Sequence, residues 1–201
     1  MKLIPNSRYT VFLAELKKVK EPFLTWKGLL FRASPLEYGR ATKLLNGQGS
    51  FVTGGRWSAA GTFPAVNTST DQGTCLAESR ASFTYYNFAP SDVRPKVVVA
   101  VRVHLFKVLN LVSRRGIGAK PWLELTKLQA EDWHKVNYAG YEAQSQAFGR
   151  AAHDIGVEGI LVPSVRVQGG INLVYFPQSL TPKSKVEILG EDELNRWLKQ
   201  K

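Results

Sequence analysis

Four side chains far apart in the sequence have the chemistry to grip an anionic substrate and act on it: Arg32, Arg56, Glu78 and Ser164. Arg32 sits in the apolar run "GLLFRAS", where a long cation is costly unless something pairs with it. Arg56 follows Gly54 and Gly55 in "GSFVTGGRWSAAGTF", and such glycines permit positive φ and a close approach of backbone to ligand. Glu78 is the one charged residue of "TCLAES", and Ser164 ends the apolar run "EGILVPS" after Pro163. Each has a plain structural explanation when taken singly. Arg32 and Glu78 would make a buried ion pair, Gly54–Gly55 a turn, Trp57 a core residue and Ser164 a turn cap. Taken together, two guanidinium forks able to hold phosphate in bidentate fashion and a lone carboxylate describe a site for an anionic nucleotide.

Other chemistries lack their residues. Gly47 and Gly49 would need a third glycine at position 52 for a dinucleotide fingerprint, and that position is Val52. No Walker lysine follows the glycines. His104, His134 and His153 have neither metal-ligand spacing nor cysteine company, so no metal is expected. Ser164 with His153 and Asp154 lacks the glycine-flanked elbow that would expose a nucleophilic serine. Glu191, Asp192 and Glu193 read as helix N-terminal charges, not a catalytic pair.

The elements that must position the four residues are mixed. "TVFLAELKKVK" places Val11, Phe12, Leu16 and Val19 near one helical face. "GLLFRAS" reads as a strand, and the stretch from Tyr38 to Phe63, with six glycines, as loops with one hairpin. Ser69 and Gln72 have capping-box spacing ahead of a helix that runs to about Tyr85. "KVVVAVRVHLFKVLNLV" alternates Val97, Val99, Val101, Val103 and Leu105 against Arg102 and His104, as a long strand does. Thr126 to Ile155 is mainly helical. "EGILVPS", "INLVYF" and "KVEIL" are short strands, and "EDELNRWLKQ" is a closing helix. Without strict βαβ alternation this is an α+β fold with a central, largely antiparallel sheet. With no linker or repeat, 201 residues read as one domain, long enough to bury about 70% of the unfolded surface.

One cysteine, Cys75, rules out an internal disulfide. The longest apolar run, "VVVAV", is too short to cross a bilayer, and Pro5, Asn6 and Arg8 break up the N-terminal apolar residues. A soluble, cytoplasmic protein without a membrane partner is expected. The net charge of +11 points to an anionic partner. The acid-free stretch between Asp92 and Glu124 carries Arg94, Lys96, Arg102, Lys107, Arg114, Arg115 and Lys120. It reads either as a solvated strand face or as a docking surface for an acidic protein, a nucleotide or nucleic acid.

"FRAS", "GGRWSAAG", "CLAES" and "EGILVPSVRVQGGINLVYFP", in that order, resemble the RES-domain family of bacterial toxins over about Gly28 to Leu180. The family is named for an arginine, a glutamate and a serine. The resemblance implies an ADP-ribosyltransferase-like fold, consumption of NAD⁺ as substrate, and a DNA-binding antitoxin of the Xre type that blocks the pocket. By position, Arg32, Glu78 and Ser164 match the catalytic residues. Arg32, Gly55, Arg56, Trp57, Phe31, Asn67 and Asn172 match or flank the binding positions. Asn67 stands where the family usually has a tyrosine, and Phe31 where tyrosine is common, so an aromatic wall would have to come from Phe31, Tyr38 or Trp57. The implied reaction breaks the nicotinamide–ribose bond, with Glu78 beside the ribose, the arginines on the pyrophosphate, and water or phosphate as acceptor. Transfer of ADP-ribose to a protein or nucleic acid, and a binding module without catalysis, are the alternatives.

Overall fold

The computed structural model describes residues 2–19, 23–87, 94–113 and 115–200; of the residues singled out above, Asp92 and Arg114 lie outside these. The chain runs α1 (Arg8–Lys17), β1 (Leu24–Pro35), α2 (Ala41–Leu45), α3 (Gln48–Thr53), β2 (Val66–Ser69), α4 (Gln72–Tyr86) and β3 (Lys96–Asn110). It continues through α5 (Leu125–Ala130), α6 (Trp133–Tyr138), α7 (Gln144–Asp154), β4 (Gly159–Pro163), β5 (Ile171–Tyr175), β6 (Lys185–Ile188) and α8 (Glu191–Leu198).

The alternation in β3 sets the architecture. Val97, Val99, Val101, Val103 and Leu105 are buried, and Arg102 is exposed. β1 lies antiparallel along the length of β3, from Leu24 opposite Val108 to Pro35 opposite Lys96. The other edge of β1 meets β2 at Phe31 and Ser69, β2 pairs with β5, β5 with β4, and β4 returns to the end of β3. Five strands thus close on themselves, and β6 is added to β3. Among the described residues β3–β4 is the parallel pairing and the others are antiparallel. The α+β fold with a largely antiparallel sheet agrees with the expectation; its closure, which alternation does not encode, is new.

Two cores flank this sheet. One gathers Leu30, Val101, Leu105, Leu173 and Tyr175. The other packs Phe12 and Leu16 of α1 and Phe148, Ala151 and Ala152 of α7 against Leu109, Ile160 and Val174. The inward stripe of α1 runs through Tyr9, Phe12, Leu13 and Leu16, so Val11, expected on that face, is exposed. Between Tyr38 and Phe63 the expected hairpin is absent. The two short helices α2 and α3 stand there, and only an isolated bridge joins Gly55 and Ser58. The helix after β2 is capped by Asp71, whose Oδ1 accepts from Thr74 N at 2.8 Å, and not by Ser69. Ser69 is claimed by the sheet, paired with Asn172.

The basic stretch does not form one free face. Arg94 pairs with Glu37 at 3.2 Å, Lys96 Nζ donates to Ser79 O, and Lys107 Nζ donates to Ile155 O at 2.7 Å.

Glu158, fully buried, ties β3 to the loop before β6. Its Oε2 accepts from Phe106 N and, at 3.1 Å, from Lys107 N; its Oε1 accepts from Ser184 Oγ and, at 3.1 Å, from Thr181 N. Burial favours the neutral acid, but these four donors to the charged form prevail and hold the carboxyl below its usual value. A lowered folded pKa stabilises above the unfolded value, near 4.5, and that stabilisation is lost as pH falls through the folded value. Glu158→Gln turns an amide N–H toward donors and is expected to cost about 1–3 kcal/mol at pH 7. Its urea midpoint should also change less between pH 7 and pH 4 than that of the wild type. Equal slopes in both proteins would show that Glu158 does not carry this acid sensitivity.

Candidate active site

Backbone geometry delivers Arg56. Gly54, at φ +76°, ends α3 in a conformation that L side chains rarely adopt, and the chain turns so that Gly55 N donates to Ser58 O at 2.8 Å. Gln146 of α7 donates from Nε2 to Gly55 O at 2.9 Å, fixing the loop from behind. Trp57 is buried with its ring edge-on to Phe148 at 6.1 Å. Held at both sides, Arg56 reaches across and donates from Nη1 to Leu128 O, in the last turn of α5, at 3.2 Å and to Glu131 O, just past its end, at 3.0 Å. Among the described residues its Nε and Nη2 have no hydrogen-bond partner.

Arg32 rises from β1, donating from Nη1 to Asn67 O at 2.9 Å. Its Nε is buried with no hydrogen-bond partner among the described residues. Burial lowers the pKa of both arginines; around Arg56 the Glu78 charge opposes that. A desolvated guanidinium with an unused donor is a cost that a bound anion would offset.

Glu78 stands in the middle of α4, facing the sheet. Its Oε1 accepts from Ser164 Oγ at 2.6 Å and from Asn172 Nδ2 at 2.7 Å. Asn172 is oriented in turn by Ser69, whose Oγ donates to its Oδ1 at 2.7 Å. Ser164 Oγ accepts from Arg166 N at 3.0 Å and Val167 N at 3.1 Å. Two amides fill the lone pairs of the hydroxyl, so its single proton is left for Glu78. The ion pair between Arg32 and Glu78, the plain structural alternative, does not form; hydroxyl and amide donors hold the carboxylate instead.

These groups border a cleft of about 570 Å³, a volume suited to a cofactor-sized ligand. Arg32, Gly55, Arg56, Trp57, Asn67, Glu78 and Asn172 line it. Ser164 and Phe31 do not: Ser164 stands behind Glu78, and Phe31 neighbours Arg32 on a strand whose side chains alternate between faces. Tyr38 is half exposed and away from the cleft. The aromatic wall comes instead from Trp57, Tyr85, Trp133 and His134. Sequence reasoning missed the last three and Arg166, which lines the cleft without a side-chain partner among the described residues. The spacing of Glu78 and Tyr85, seven residues apart on one helix face, was a signal available for one of them. Cys75 also lines the cleft, with burial pushing its thiol up to about 11, which leaves it inert near neutral pH. Among the described residues no group of three or more His, Cys, Asp or Glu could hold a metal ion, and no helix is long and apolar enough to cross a membrane.

Fold and site together define an α+β protein with a cleft lined by Arg32, Arg56 and Arg166 and by the carboxylates of Glu78, Glu131 and Asp132. The RES domain model matches residues 29–196, and the chain belongs to that family. The NAD(+) phosphorylase MbcT of Mycobacterium tuberculosis and that of Mycobacterium bovis are each 28% identical to it over 139 residues, 65% of this chain. The alignment spans 64% of the length of those relatives. The crystal structure of the M. tuberculosis MbcT–MbcA toxin–antitoxin complex superposes with a TM-score of 0.63 at 18% identity, covering 95% of this chain and 97% of that one; the likeness is one of fold.

Proposed function

We propose that this chain consumes NAD⁺ by breaking the nicotinamide–ribose bond, and that it is the toxin of a toxin–antitoxin pair. The observation that carries the reading is Glu78: one carboxylate, gripped by Ser164 and Asn172 at 2.6 and 2.7 Å, at the wall of a cleft lined by Arg32 and Arg56. The names of the mycobacterial relatives supply the substrate.

Loss of nicotinamide takes the bonding pair with the leaving nitrogen and leaves positive character on C1 and the ring oxygen of the ribose, as in glycoside cleavage. Glu78 lies beside that ribose and stabilises the developing cation. The leaving group is a pyridinium that departs as neutral nicotinamide, so no second carboxylate is needed to protonate it. That agrees with a site in which a single glutamate, Glu78, is held by Ser164 and Asn172. Arg32 and Arg56 hold the pyrophosphate and fix the sugar against the carboxylate. Ser164 and Asn172 act through Glu78 and are positioning residues.

Water as acceptor gives ADP-ribose, nicotinamide and a proton. Inorganic phosphate gives ADP-ribose 1″-phosphate and nicotinamide. The relatives' name favours phosphate. A DNA-binding antitoxin of the Xre type, covering the cleft in the cytoplasm, completes the reading; the solved MbcT–MbcA pair supports an antitoxin partner.

Purified protein incubated with labelled NAD⁺, with and without phosphate, tests it. Nicotinamide release accelerated by phosphate, with ADP-ribose 1″-phosphate as co-product, is the expected result. Release independent of phosphate makes water the acceptor, label retained on protein or nucleic acid makes the chain a transferase, and intact NAD⁺ removes the activity.

A further inference from the structure

The far end of the cleft is aromatic and acidic. His134 stacks on Trp133 at 3.6 Å and on Tyr85 at 4.4 Å, with interplanar angles of 28° and 25°. The stack is braced: Tyr85 Oη donates to the Asp132 carboxylate at 3.0 Å, and Tyr86 Oη bonds His134 Nδ1 at 3.1 Å. Three rings from two helices, all lining the same cleft, are more than the core requires of them, since Tyr85 remains 37% exposed.

We propose that Tyr85, His134 and Trp133 seat the adenine base of the dinucleotide, an assignment that rests on the NAD⁺ reading above. Distance along α4 decides which heterocycle belongs there. Glu78, Ala81 and Tyr85 line the cleft from one helix face, and seven residues advance about 10.5 Å. Nicotinamide is bonded directly to the ribose that Glu78 addresses, so it stays at the Glu78 end. Adenine, separated from that ribose by the pyrophosphate and a second ribose, spans the gap.

Charge agrees with distance. Arg56, bonded to Glu131 O at 3.0 Å and within electrostatic reach of Glu78, lines the cleft together with Arg32 and Arg166, and phosphate belongs beside these cations. Asp132 and Glu131 repel phosphate from the aromatic end and offer acceptors to an exocyclic amine. Burial, together with the Arg56 and Arg166 charges, lowers the pKa of His134, so its ring stacks neutral at pH 7.

The test compares kcat/KM for NAD⁺ and for nicotinamide mononucleotide, which lacks the adenylate half, in the wild type, Tyr85→Leu and Tyr85→Phe. Tyr85→Leu is expected to shrink the ratio of NAD⁺ to mononucleotide kcat/KM by between about 5- and 150-fold, the range spanned by loss of one base-stacking ring. Tyr85→Phe, which keeps the ring and loses the Asp132 bond, should retain most of the ratio. A ratio unchanged in Tyr85→Leu overturns the seat. Calorimetric binding of ADP-ribose to the same proteins keeps the two readings apart. If the wild type leaves NAD⁺ intact yet binds ADP-ribose more tightly than Tyr85→Leu does, the activity fails and the seat stands. Equal binding, or none, overturns the seat whatever the activity.

Discussion

Glu78→Gln is expected to slow NAD⁺ consumption by two to three orders of magnitude while the protein stays folded. Glutamine has the shape of glutamate, and its carbonyl oxygen can accept from Ser164 Oγ and Asn172 Nδ2 where Glu78 Oε1 now does. The substitution therefore removes charge and leaves the network. What is lost is stabilisation of the cationic ribose in the transition state, and one such electrostatic contribution is typically worth ~2.7–4 kcal/mol of barrier. Because the cation exists only near the transition state, the loss should appear in kcat with the KM for NAD⁺ little altered. Ser164→Ala gives the contrast: it removes a donor that lies behind the carboxylate and outside the cleft, so its effect should be smaller. Steady-state kinetics with a thermal melt on each variant makes the measurement. A Glu78→Gln enzyme that consumes NAD⁺ at the wild-type rate would take Glu78 out of the mechanism.

Legibility in the sequence followed the range over which each signal acts. The alternation from Val97 to Leu105 is dictated by burial of one strand face, and the strand appears where it was expected. Capping of α4 turned on competition between neighbours. Ser69 had the right spacing to Gln72, but strand pairing with Asn172 occupied it and Asp71 capped the helix. Between Tyr38 and Phe63 periodicity is absent because α2 and α3 are five and six residues long, too short to show a hydrophobic face. Within the site, Arg32, Arg56 and Glu78 were visible because each breaks a local pattern: a cation in an apolar strand, an arginine after two glycines, an acid alone in a small-residue run. Tyr85, Trp133, His134 and Arg166 break none. They reach the cleft only because α4, α6 and the turn after β4 converge there, which is a property of the closed sheet and its connections. Ser164 was found for its position after Pro163, but its partner Glu78, 86 residues away, could be assigned only in three dimensions.

Gly149→Ala is expected to destabilise the protein by about 3 kcal/mol or more and to displace Arg56, although it adds a single methyl group to a helix. A Cβ at Gly149 would stand 1.8 Å from Trp57 O and 2.8 Å from Trp57 C, so backbone must move and no side-chain rotation can relieve it. The loop has little room to give. Gln146 holds Gly55 O, Trp57 is buried against Phe148, and Arg56 Nη1 is bound to the end of α5. Forced insertion into a packed interior costs 1–3 kcal/mol where neighbours can yield, and more where they cannot. Against a total stability of about 5–15 kcal/mol, that is enough to lower the melting temperature by several degrees. Gly49→Ala is the control. It too adds a methyl to a helix, α3, but nothing lies within 4 Å of the new atom, so the higher helix propensity of alanine should leave stability equal or raise it by up to ~1 kcal/mol. Urea unfolding of both variants, with ADP-ribose titrated into each while folded, separates fold from site. Gly149→Ala should weaken binding by shifting the Arg56 loop, and Gly49→Ala should not. Equal midpoints in the two variants would mean that the loop yields freely to α7, and that Arg56 is not fixed in place by the contact between Trp57 and Gly149.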